Sequence, residues 1–419
     1  MANIVFTWEL GGGFGHVGRF RPIAERLLDA GHRVIMIVKD LKRAAVFLTD
    51  LDVRLFQAPV KISRAVPYNP TPSTFAHLLA NMGYQESREL KAMLSAWRNL
   101  FDLLQPDLLL FDHSPTAMLA ARGRQAFQMT IGTGFCCPVD EFPLPPMAPW
   151  RPMEAADRQH HELILVDRIN SVLLSEKQPE IERIGQIYGD MDVNLLTTFA
   201  ELDHYPQRTT GHYLGAWAGS TQQAKNKDAA AADPALDWPQ GKKPKVFVYL
   251  KPAKAVTDLL RWISGQGLPA VVVGDGLNMK HLASVVAPNV QLHQGTLPME
   301  SVRGWCDIAI LNGSHGTTCD LLLAGKPILQ IPLTFEQALL THRTVKMGVA
   351  LDASPEQPRQ AIQQLGTLLN NREFGERAQA FAKKLRWFNP VDAIDACVEQ
   401  IIKGIESSPN SQSKSMVQF

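Results

Sequence analysis

The residues best suited to chemistry lie in a glycine-rich turn near position 315. Gly313 and Gly316 have no side chain that would keep a ligand away from the backbone. Ser314 and His315 lie between these glycines and Thr317 follows them, at the predicted start of a helix. The N–H groups and hydroxyls at a helix N-terminus, helped by the helix dipole, can hold a phosphate. The turn therefore predicts an anion-binding site in the second half of the chain.

A second polar pair follows further along the chain. Glu336 and Gln337 come after a predicted strand at 328–331, so they should lie on the same rim as the glycine-rich turn. A carboxylate beside a carboxamide suits neighbouring sugar hydroxyls, because the first accepts hydrogen bonds and the second both accepts and donates. The alternative is an ordinary strand-to-helix turn followed by an acid at a helix start. The spacing favours a ligand with both a phosphate and a sugar.

The elements that must position these residues alternate strand and helix in both halves of the chain. Apolar runs typical of buried strands occur at 3–7, 33–38, 107–111, 194–199, 245–250, 270–273, 308–311 and 328–331. Between the first two runs, a cluster of four glycines (Gly11, Gly12, Gly13 and Gly15) precedes a helical pattern. Strand, glycine-rich turn, helix and strand form a βαβ unit, which implies a parallel sheet. The pattern predicts an α/β fold with two Rossmann-like domains.

A change of composition between 219 and 243 divides the two halves. This stretch is small, polar and proline-bearing, which is typical of an interdomain linker. It separates a predicted N-terminal domain at 1–218 from a C-terminal domain at 244–388. A helix at 389–405 is expected to pack back on the N-terminal domain, and a disordered tail is expected at 406–419. The two domains should face each other across a cleft, which is the default ligand site.

The overall composition argues against several classes of protein. Lys and Arg number 42 against 41 Asp and Glu, and this formal charge of +1 does not suit a general nucleic-acid binder. The five cysteines form no C-x-x-C zinc motif, and no apolar run is long enough for a secretion signal or a membrane span. We therefore expect a cytoplasmic protein, with peripheral membrane contact left open.

Several motifs resemble glycosyltransferase family 1 and its relatives with the GT-B fold. The pieces NGSHGT, CDLLLAGKPILQIP and EQ are similar to the family's donor signature, which reads HGGxGT, then EALxxGxPxLxxP, then a D/E-Q pair. The stretch GGGFGHVGRFRPIAERLLDAGHRV resembles the opening motif GxxGHxxPxxxLAxxLxxxGHxV. The stretch PDLLLFDHSPTAMLAA resembles the segment around a strand-end aspartate of the family. Together these similarities span nearly the whole chain.

The resemblance implies a GT-B architecture and an inverting transfer of a sugar from a UDP- or dTDP-linked donor to a hydroxyl. It implies neither a metal nor a cofactor beyond that nucleotide-sugar co-substrate. His16 occupies the place of the general base, which takes the proton of the acceptor hydroxyl. Asp112 occupies the place of the aspartate that orients this imidazole and stabilises its charged form. Glu9, at the end of the first strand, is a rival base.

The resemblance also assigns a set of donor-binding residues. Gly13 and Gly15 of the opening motif are expected near the donor, and the nucleotide base near Leu297 and Met299. The sugar would be held by the Glu336–Gln337 pair. The diphosphate would be held by Asn312, Ser314, His315, Gly316 and Thr317.

The sequence departs from the family pattern at some of these positions. Asn312 replaces a histidine and carries no charge, and Ser314 replaces a glycine. Lys251 either supplies the lost positive charge to the diphosphate or is a surface lysine. Arg19 faces either the diphosphate or the solvent. Glu336 is one methylene longer than the usual aspartate, so the sugar recognised need not be glucose.

The acceptor is expected in the N-terminal half, against the segment at about 60–84 and the proline-rich loop at 136–152. A small apolar acceptor, such as a polyketide, terpenoid or lipid, would meet a wall formed by Phe135, Phe142, Met147 and Trp150. For any one of these side chains, the role of anchoring its loop on the core is favoured over contact with an acceptor. No nucleic-acid partner is expected.

Other functions stay open. A lipid-linked GlcNAc transferase and a nucleotide-sugar epimerase share the fold, and the opening GGGFGH is compatible with the former. A non-catalytic GT-B protein that binds a partner or a nucleotide sugar as a regulator is favoured by Asn312 and by Lys251-Pro252. Against that regulator, His16, Asp112, Glu336 and Gln337 occur together.

Overall fold

A computed structural model describes residues 1–61, 71–217, 238–295 and 297–407. This part of the chain forms two compact units. Unit 1 comprises residues 1–215 and the final helix from Pro390, and unit 2 runs from Ala216 to Asn389. The predicted linker at 219–243 lies outside the described residues up to position 237, and so does the predicted tail beyond position 407.

Unit 1 is built on a parallel sheet of seven strands in the order β3-β2-β1-β4-β5-β6-β7. The strands are β1 (Asn3–Trp8), β2 (Arg33–Val38), β3 (Val53–Gln57), β4 (Leu108–Asp112), β5 (Phe127–Gly132), β6 (Val193–Leu196) and β7 (His212–Tyr213). The central strands are apolar along their length because helices cover both faces of a parallel sheet. The helices are α1 (Gly15–Asp29), α2 (Leu41–Leu48), α3 (Phe75–Leu79), α4 (Ser87–Leu104), α5 (Pro115–Ala121), α6 (Ala155–Ser175) and α7 (Gln186–Gly189).

Unit 2 repeats this logic with six parallel strands in the order β10-β9-β8-β11-β12-β13. The strands are β8 (Val246–Leu250), β9 (Ala270–Gly274), β10 (Val290–His293), β11 (Ile308–Leu311), β12 (Ile328–Gln330) and β13 (Ala350–Asp352). The helices are α8 (Lys254–Gly265), α9 (Met279–Ala283), α10 (Met299–Trp305), α11 (His315–Leu323), α12 (Phe335–Lys346), α13 (Pro358–Asn370) and α14 (Glu373–Lys384). One apolar core of Val, Leu, Ile and Ala side chains connects the sheet to α8 and α13.

The final helix, α15 (Pro390–Ser407), belongs to unit 1 and packs against α1, β4 and β5. Gly404 makes this close approach possible, because a Cβ there would lie 2.6 Å from the Phe127 ring. Arg26 of α1 forms an ion pair with Asp395 of α15. No helix among the described residues combines the length and apolarity needed to cross a bilayer.

The predicted α/β class with parallel sheets is confirmed. Helix α6 ends shortly before Lys177, which adopts a left-handed backbone with φ +55°. The segment before α7 is then held by a side chain: the Asn170 amide nitrogen donates a hydrogen bond to the Ile181 carbonyl, and its amide oxygen accepts one from the Ile181 N–H. In unit 2, a two-residue break at 371–372 separates α13 from α14.

Candidate active site

The carboxyl ends of β1 and β4 bring the two predicted catalytic residues together in unit 1. Trp8, the last residue of β1, is in register with Asp112, the last residue of β4. His16 lies in the first turn of α1, and its Nδ1 is 2.8 Å from Asp112 Oδ2. The Asp112 side chain is fully buried and that of His16 is 13% exposed. Since an ionised carboxylate only accepts hydrogen bonds, Nδ1 carries the proton and Nε2 of the neutral imidazole is the basic nitrogen.

Gly11 provides the space in front of this basic nitrogen. Its φ is +76°, and a Cβ at this position would lie 2.8 Å from His16 Nε2. The turn is held in place by Lys39, whose Nζ donates a hydrogen bond to the Gly11 carbonyl at 2.9 Å. The Trp8 ring stacks on the imidazole with 5.0 Å between ring centroids. Position 11 therefore requires glycine both for its backbone conformation and for access to Nε2.

Arg19 is a further partner of Asp112. Its side chain is only 11% exposed, so it does not face the solvent, and its Nη2 lies 3.0 Å from Asp112 Oδ2. Its Nη1 donates a hydrogen bond to Thr197 Oγ1 at 2.6 Å. Burial by itself would raise the pKa of Asp112, but the positive charges of His16 and Arg19 outweigh it and lower that pKa to about 2. Asp112 is therefore ionised at neutral pH.

His113 is a further neighbour of His16 that sequence reasoning missed. Its ring lies parallel to that of His16, with 6.4 Å between centroids, and it also contacts the rings of Phe75 and Phe135. Burial, reinforced by the charge of His16, lowers the pKa of His113 to about 3, so this imidazole is neutral. Its backbone is left-handed, with φ +48°, which is uncommon for a residue other than glycine and is often found at functional sites. The sequence contains one indication of this placement, because His113 directly follows Asp112 at the end of a predicted strand.

Glu9, the rival base, has a different environment. Its side chain is buried, and its Oε2 accepts hydrogen bonds from the backbone N–H groups of Thr116 and Ala117 at 3.0 and 3.4 Å. The Thr116 hydroxyl donates to its other oxygen and also contacts Tyr84 Oη at 2.9 Å. Burial raises the pKa of Glu9 to about 7, and these hydrogen bonds limit the rise. The carboxylate caps the start of α5, so it is committed to the fold rather than to a ligand.

The Glu9→Gln substitution should remove part of the pH dependence of the free energy of unfolding. The folded-state pKa of Glu9 is raised from 4.5 to about 7. Its favourable contribution to the free energy of unfolding is therefore fully present below pH 4.5 and is lost as the pH rises through 7. Glutamine does not titrate. The free energy of unfolding of the variant relative to wild type should therefore increase by about 3 kcal/mol between pH 4.5 and 8, as measured by urea denaturation.

The matched control is Glu182→Gln, whose side chain is 85% exposed. Its difference from wild type should stay flat over the same pH range. A flat difference for Glu9→Gln as well would show that burial of Glu9 does not favour its protonated form.

In unit 2, Asn312 ties three strand ends together. Its Oδ1 accepts a hydrogen bond from Lys251 N at 2.7 Å, and its Nδ2 donates to the Ile331 carbonyl at 2.8 Å. These bonds join the ends of β8, β11 and β12. Gly313, with φ +82°, follows at once, and a Cβ there would lie 3.0 Å from Thr341 Oγ1 on α12. Asn312 thus fixes the backbone of the glycine-rich turn, which explains a neutral side chain at this position.

The turn leads into α11 as the sequence predicted. Ser314 precedes the helix, and His315, Gly316 and Thr317 form its first turn. The first N–H groups of a helix point out of its N-terminal end. Within the described part of the chain, the buried Ser314 Oγ has no hydrogen-bond partner. The arrangement presents backbone donors and a hydroxyl, as a phosphate site requires.

The Glu336–Gln337 pair forms the first turn of α12, where one member has a structural role. Gln337 N donates to Thr334 Oγ1 at 3.3 Å, and Gln337 Oε1 accepts from the N–H groups of Leu333 and Thr334 at 2.8 and 3.2 Å. This capping box occupies the carboxamide oxygen. The Gln337 side chain can therefore offer a ligand only its amide nitrogen, which is a donor.

The remaining predicted donor residues lie on several different elements. Lys251 Nζ lies 3.4 Å from Asp275 Oδ2, and its side chain is 45% exposed. Leu297 is buried and Met299 begins α10. In unit 1, Gly13 has φ +93° and Gly15 is the first residue of α1.

The predicted acceptor wall has two buried and two exposed members. Phe135 is buried, with its ring 5.5 Å from that of His113. Met147 is also buried, and its N–H donates to the Ser73 carbonyl. Phe142 and Trp150 are each 42% exposed. Of these four side chains, Phe135 lies beside His113 and so near His16. Residues 62–70 of the predicted segment at 60–84 lie outside the described part of the chain.

Asp320 on α11 is a second residue that the sequence analysis missed. Arg303 Nη1 lies 3.4 Å from its Oδ1, whereas its buried Oδ2 has no hydrogen-bond partner in the ranges described. Burial raises the pKa of Asp320 to about 6. An incompletely satisfied buried carboxyl near a predicted anion turn is a candidate ligand contact. In those same ranges, no group of three or more His, Cys, Asp or Glu side chains is arranged to hold a metal ion.

Comparison with known proteins locates the fold among glycosyltransferases. No protein-family model matches the chain, and no curated protein sequence matches it. Among solved structures, the glycotransferase of kitacinnamycin superposes with a TM-score of 0.65 at 17% identity, over 95% of this chain and 99% of that one. Glycosyltransferase VinC in complex with dTDP gives a TM-score of 0.61 at 15% identity, over 96% and 99%.

A third structure, the spinosyn rhamnosyltransferase SpnG complexed with spinosyn aglycone, gives a TM-score of 0.59 at 15% identity, over 95% and 100% of the two chains. At these identities the likeness establishes the fold. The chain has the two-sheet GT-B fold of these glycosyltransferases, and the resemblance seen in the sequence is confirmed at that level.

Proposed function

We propose that this protein is a glycosyltransferase that moves a sugar from a UDP- or dTDP-linked donor to a hydroxyl of a small apolar acceptor, with inversion and without a metal. The observation that carries the proposal is the hydrogen bond from His16 to the buried Asp112, with Nε2 of His16 directed at the space over Gly11. The dTDP complex of VinC and the aglycone complex of SpnG support the choice of donor and acceptor classes.

In unit 1 the chemistry is proton removal. Nε2 of His16 takes the proton of the acceptor hydroxyl as its oxygen attacks the anomeric carbon. The imidazolium that forms is stabilised by Asp112, which is already ionised and fixed at 2.8 Å. Direct displacement by this oxygen inverts the anomeric centre. Phe135 and His113, whose rings are in contact, supply an apolar and neutral surface for the acceptor.

In unit 2 the chemistry is stabilisation of the leaving group. The first turn of α11, from His315 to Thr317, offers N–H groups and a helix dipole to the diphosphate, whose negative charge grows as the bond to the sugar breaks. Because these donors are fixed before the reaction, they need no metal ion to assist them. Glu336 accepts hydrogen bonds from sugar hydroxyls, and Gln337 donates one from its amide nitrogen.

A thermal-shift panel tests the donor site. UDP, dTDP, UDP-glucose and dTDP-glucose are each added to wild type and to Glu336→Ala. Ligands that bind the native state stabilise it by about 2.7 kcal/mol at about 100 times the dissociation constant. At least one nucleotide sugar should raise the melting temperature of wild type more than its bare diphosphate does, and Glu336→Ala should lose this increment.

The control variant is Glu373→Ala, which removes a carboxylate from a surface ion pair on α14. It should keep the full sugar-dependent increment. If no nucleotide or nucleotide sugar shifts the melting temperature of wild type, the donor-site assignment is refuted.

A further inference from the structure

The side chains of His16 and Arg19 contact the same oxygen atom of Asp112. His16 Nδ1 lies 2.8 Å from Oδ2, and Arg19 Nη2 lies 3.0 Å from that same Oδ2. The other oxygen, Oδ1, is buried and has no hydrogen-bond partner among the residues described. The imidazole and the guanidinium therefore share one oxygen atom of a fully buried carboxylate, rather than binding its two oxygens separately.

Arg19 is itself fixed from a second side. Its Nη1 donates to Thr197 Oγ1 at 2.6 Å, and the Thr197 N–H donates to the Gly132 carbonyl at the end of β5. The guanidinium thus connects α1 to the ends of β4 and β6. A planar group with several donors is suited to hold two acceptors in fixed positions.

The charges of this cluster change when His16 accepts a proton. With a neutral imidazole, Arg19 and Asp112 form a buried pair with no net charge. With an imidazolium, the cluster of three residues carries one net positive charge. A simple His–Asp pair would instead become neutral on protonation. Because uncompensated charge is costly in a buried site, Arg19 opposes protonation of His16.

We infer that Arg19 is a positioning residue that shares the charge of Asp112 with His16 and makes His16 a weaker base than a simple His–Asp pair would contain. The inference rests on the proposed function for its catalytic meaning, but not for its effect on the protonation of His16. The closeness of the three groups supports this inference, since His16 Nδ1 and Arg19 Nη2 both lie within 3.0 Å of one oxygen atom of Asp112.

Three ionisable groups near the cluster, His113, Cys137 and Cys397, carry no charge at neutral pH. His113 is held neutral, since burial lowers its pKa to about 3. Burial raises the pKa of Cys137 to about 11 and that of Cys397 on α15 to about 12, so both thiols stay protonated. Cys136 is buried beside them. Lys39, bonded to the Gly11 carbonyl, adds a further positive charge.

The direct test is an NMR titration of the His16 imidazole in wild type, Arg19→Met and Arg19→Gln. Removing an opposing charge at this distance should raise the pH midpoint of the His16 titration by on the order of one pH unit in both variants. Arg19→Gln keeps polar groups for Asp112 and Thr197, so it provides a folded variant if Arg19→Met unfolds. Thr197→Val is the control, because it removes a partner of Arg19 but no charge, and its midpoint should match wild type.

A kinetic readout then connects the shift to catalysis. The acid limb of the pH profile for nucleotide release from a nucleotide sugar should move upward in Arg19→Gln by the same amount as the NMR midpoint. A midpoint that is unchanged or lower in the Arg19 variants would overturn the inference. Absence of nucleotide release in wild type would refute the proposed function instead, while the titration would still decide the role of Arg19.

Discussion

The Asp112→Asn variant is expected to lose about 10³-fold in kcat while the KM for the nucleotide sugar stays nearly unchanged. Asparagine is close in shape to aspartate but carries no charge, so the imidazolium of His16 loses its counter-charge. Its amide group also permits the wrong His16 tautomer, with the proton on Nε2. Steady-state release of nucleotide from the donor measures both parameters.

Asp107→Asn is the matched control, because Asp107 is a buried aspartate just before the same strand, β4. It accepts a hydrogen bond from Asn3 N at 2.8 Å, at the amino end of the sheet and away from His16. Its kcat should stay within about twofold of wild type. If Asp112→Asn behaves like this control, the His16–Asp112 pair is not the catalytic base system.

Asp203→Ala is expected to lower the free energy of unfolding of unit 1 by about 3–5 kcal/mol. Asp203 is fully buried and accepts from Arg208 Nε at 2.7 Å, while the Arg208 side chain is only 2% exposed. Its oxygens also accept from Tyr213 Oη and Tyr205 N. Removal of the carboxylate leaves a buried guanidinium without its counter-charge, and urea denaturation measures the loss.

The control for this variant is Asp50→Ala. Asp50 also pairs with an arginine, Arg21, but its side chain is 64% exposed, so the loss should be no more than about 1 kcal/mol. Equal losses for the two variants would contradict the assignment of Asp203 as a buried structural anchor. Gly134 is part of the same anchor, because a Cβ there would lie 1.8 Å from Asp203 Oδ1. The anchor therefore holds the loop that carries Phe135.

Local patterns in the sequence were sufficient to predict the sheets, and the resemblance to the glycosyltransferase family predicted the pairing of His16 with Asp112. Both residues follow buried apolar runs, and the carboxyl ends of parallel strands lie at the same edge of a sheet. The helical spacing of His16 and Arg19, three residues apart, also places them on one face of α1. The sequence could not identify Thr197 as the second partner of Arg19, because that contact joins residues 178 positions apart and depends on how β6 is placed.

Two other roles depended on hydrogen bonds that no residue pattern reveals. Asn312 looked like a weakened phosphate ligand, but its amide oxygen accepts a hydrogen bond from the Lys251 N–H and its amide nitrogen donates one to the Ile331 carbonyl. Gln337 looked like a sugar ligand, but its oxygen completes the capping box with Thr334. In both cases a polar side chain at a strand or helix end satisfies nearby backbone groups. Sequence alone does not distinguish that role from ligand binding.

The central claim is that the protein transfers sugar by direct, metal-independent displacement, and one experiment with wild type tests it. Purified protein is incubated with an α-linked UDP- or dTDP-glucose and the phenol 4-methylumbelliferone in the presence of EDTA, and the product is examined by NMR. We predict nucleotide release and a β-linked glucoside at a rate that EDTA does not reduce. An α-linked product, a loss of activity with EDTA, or donor binding without any nucleotide release would contradict this account.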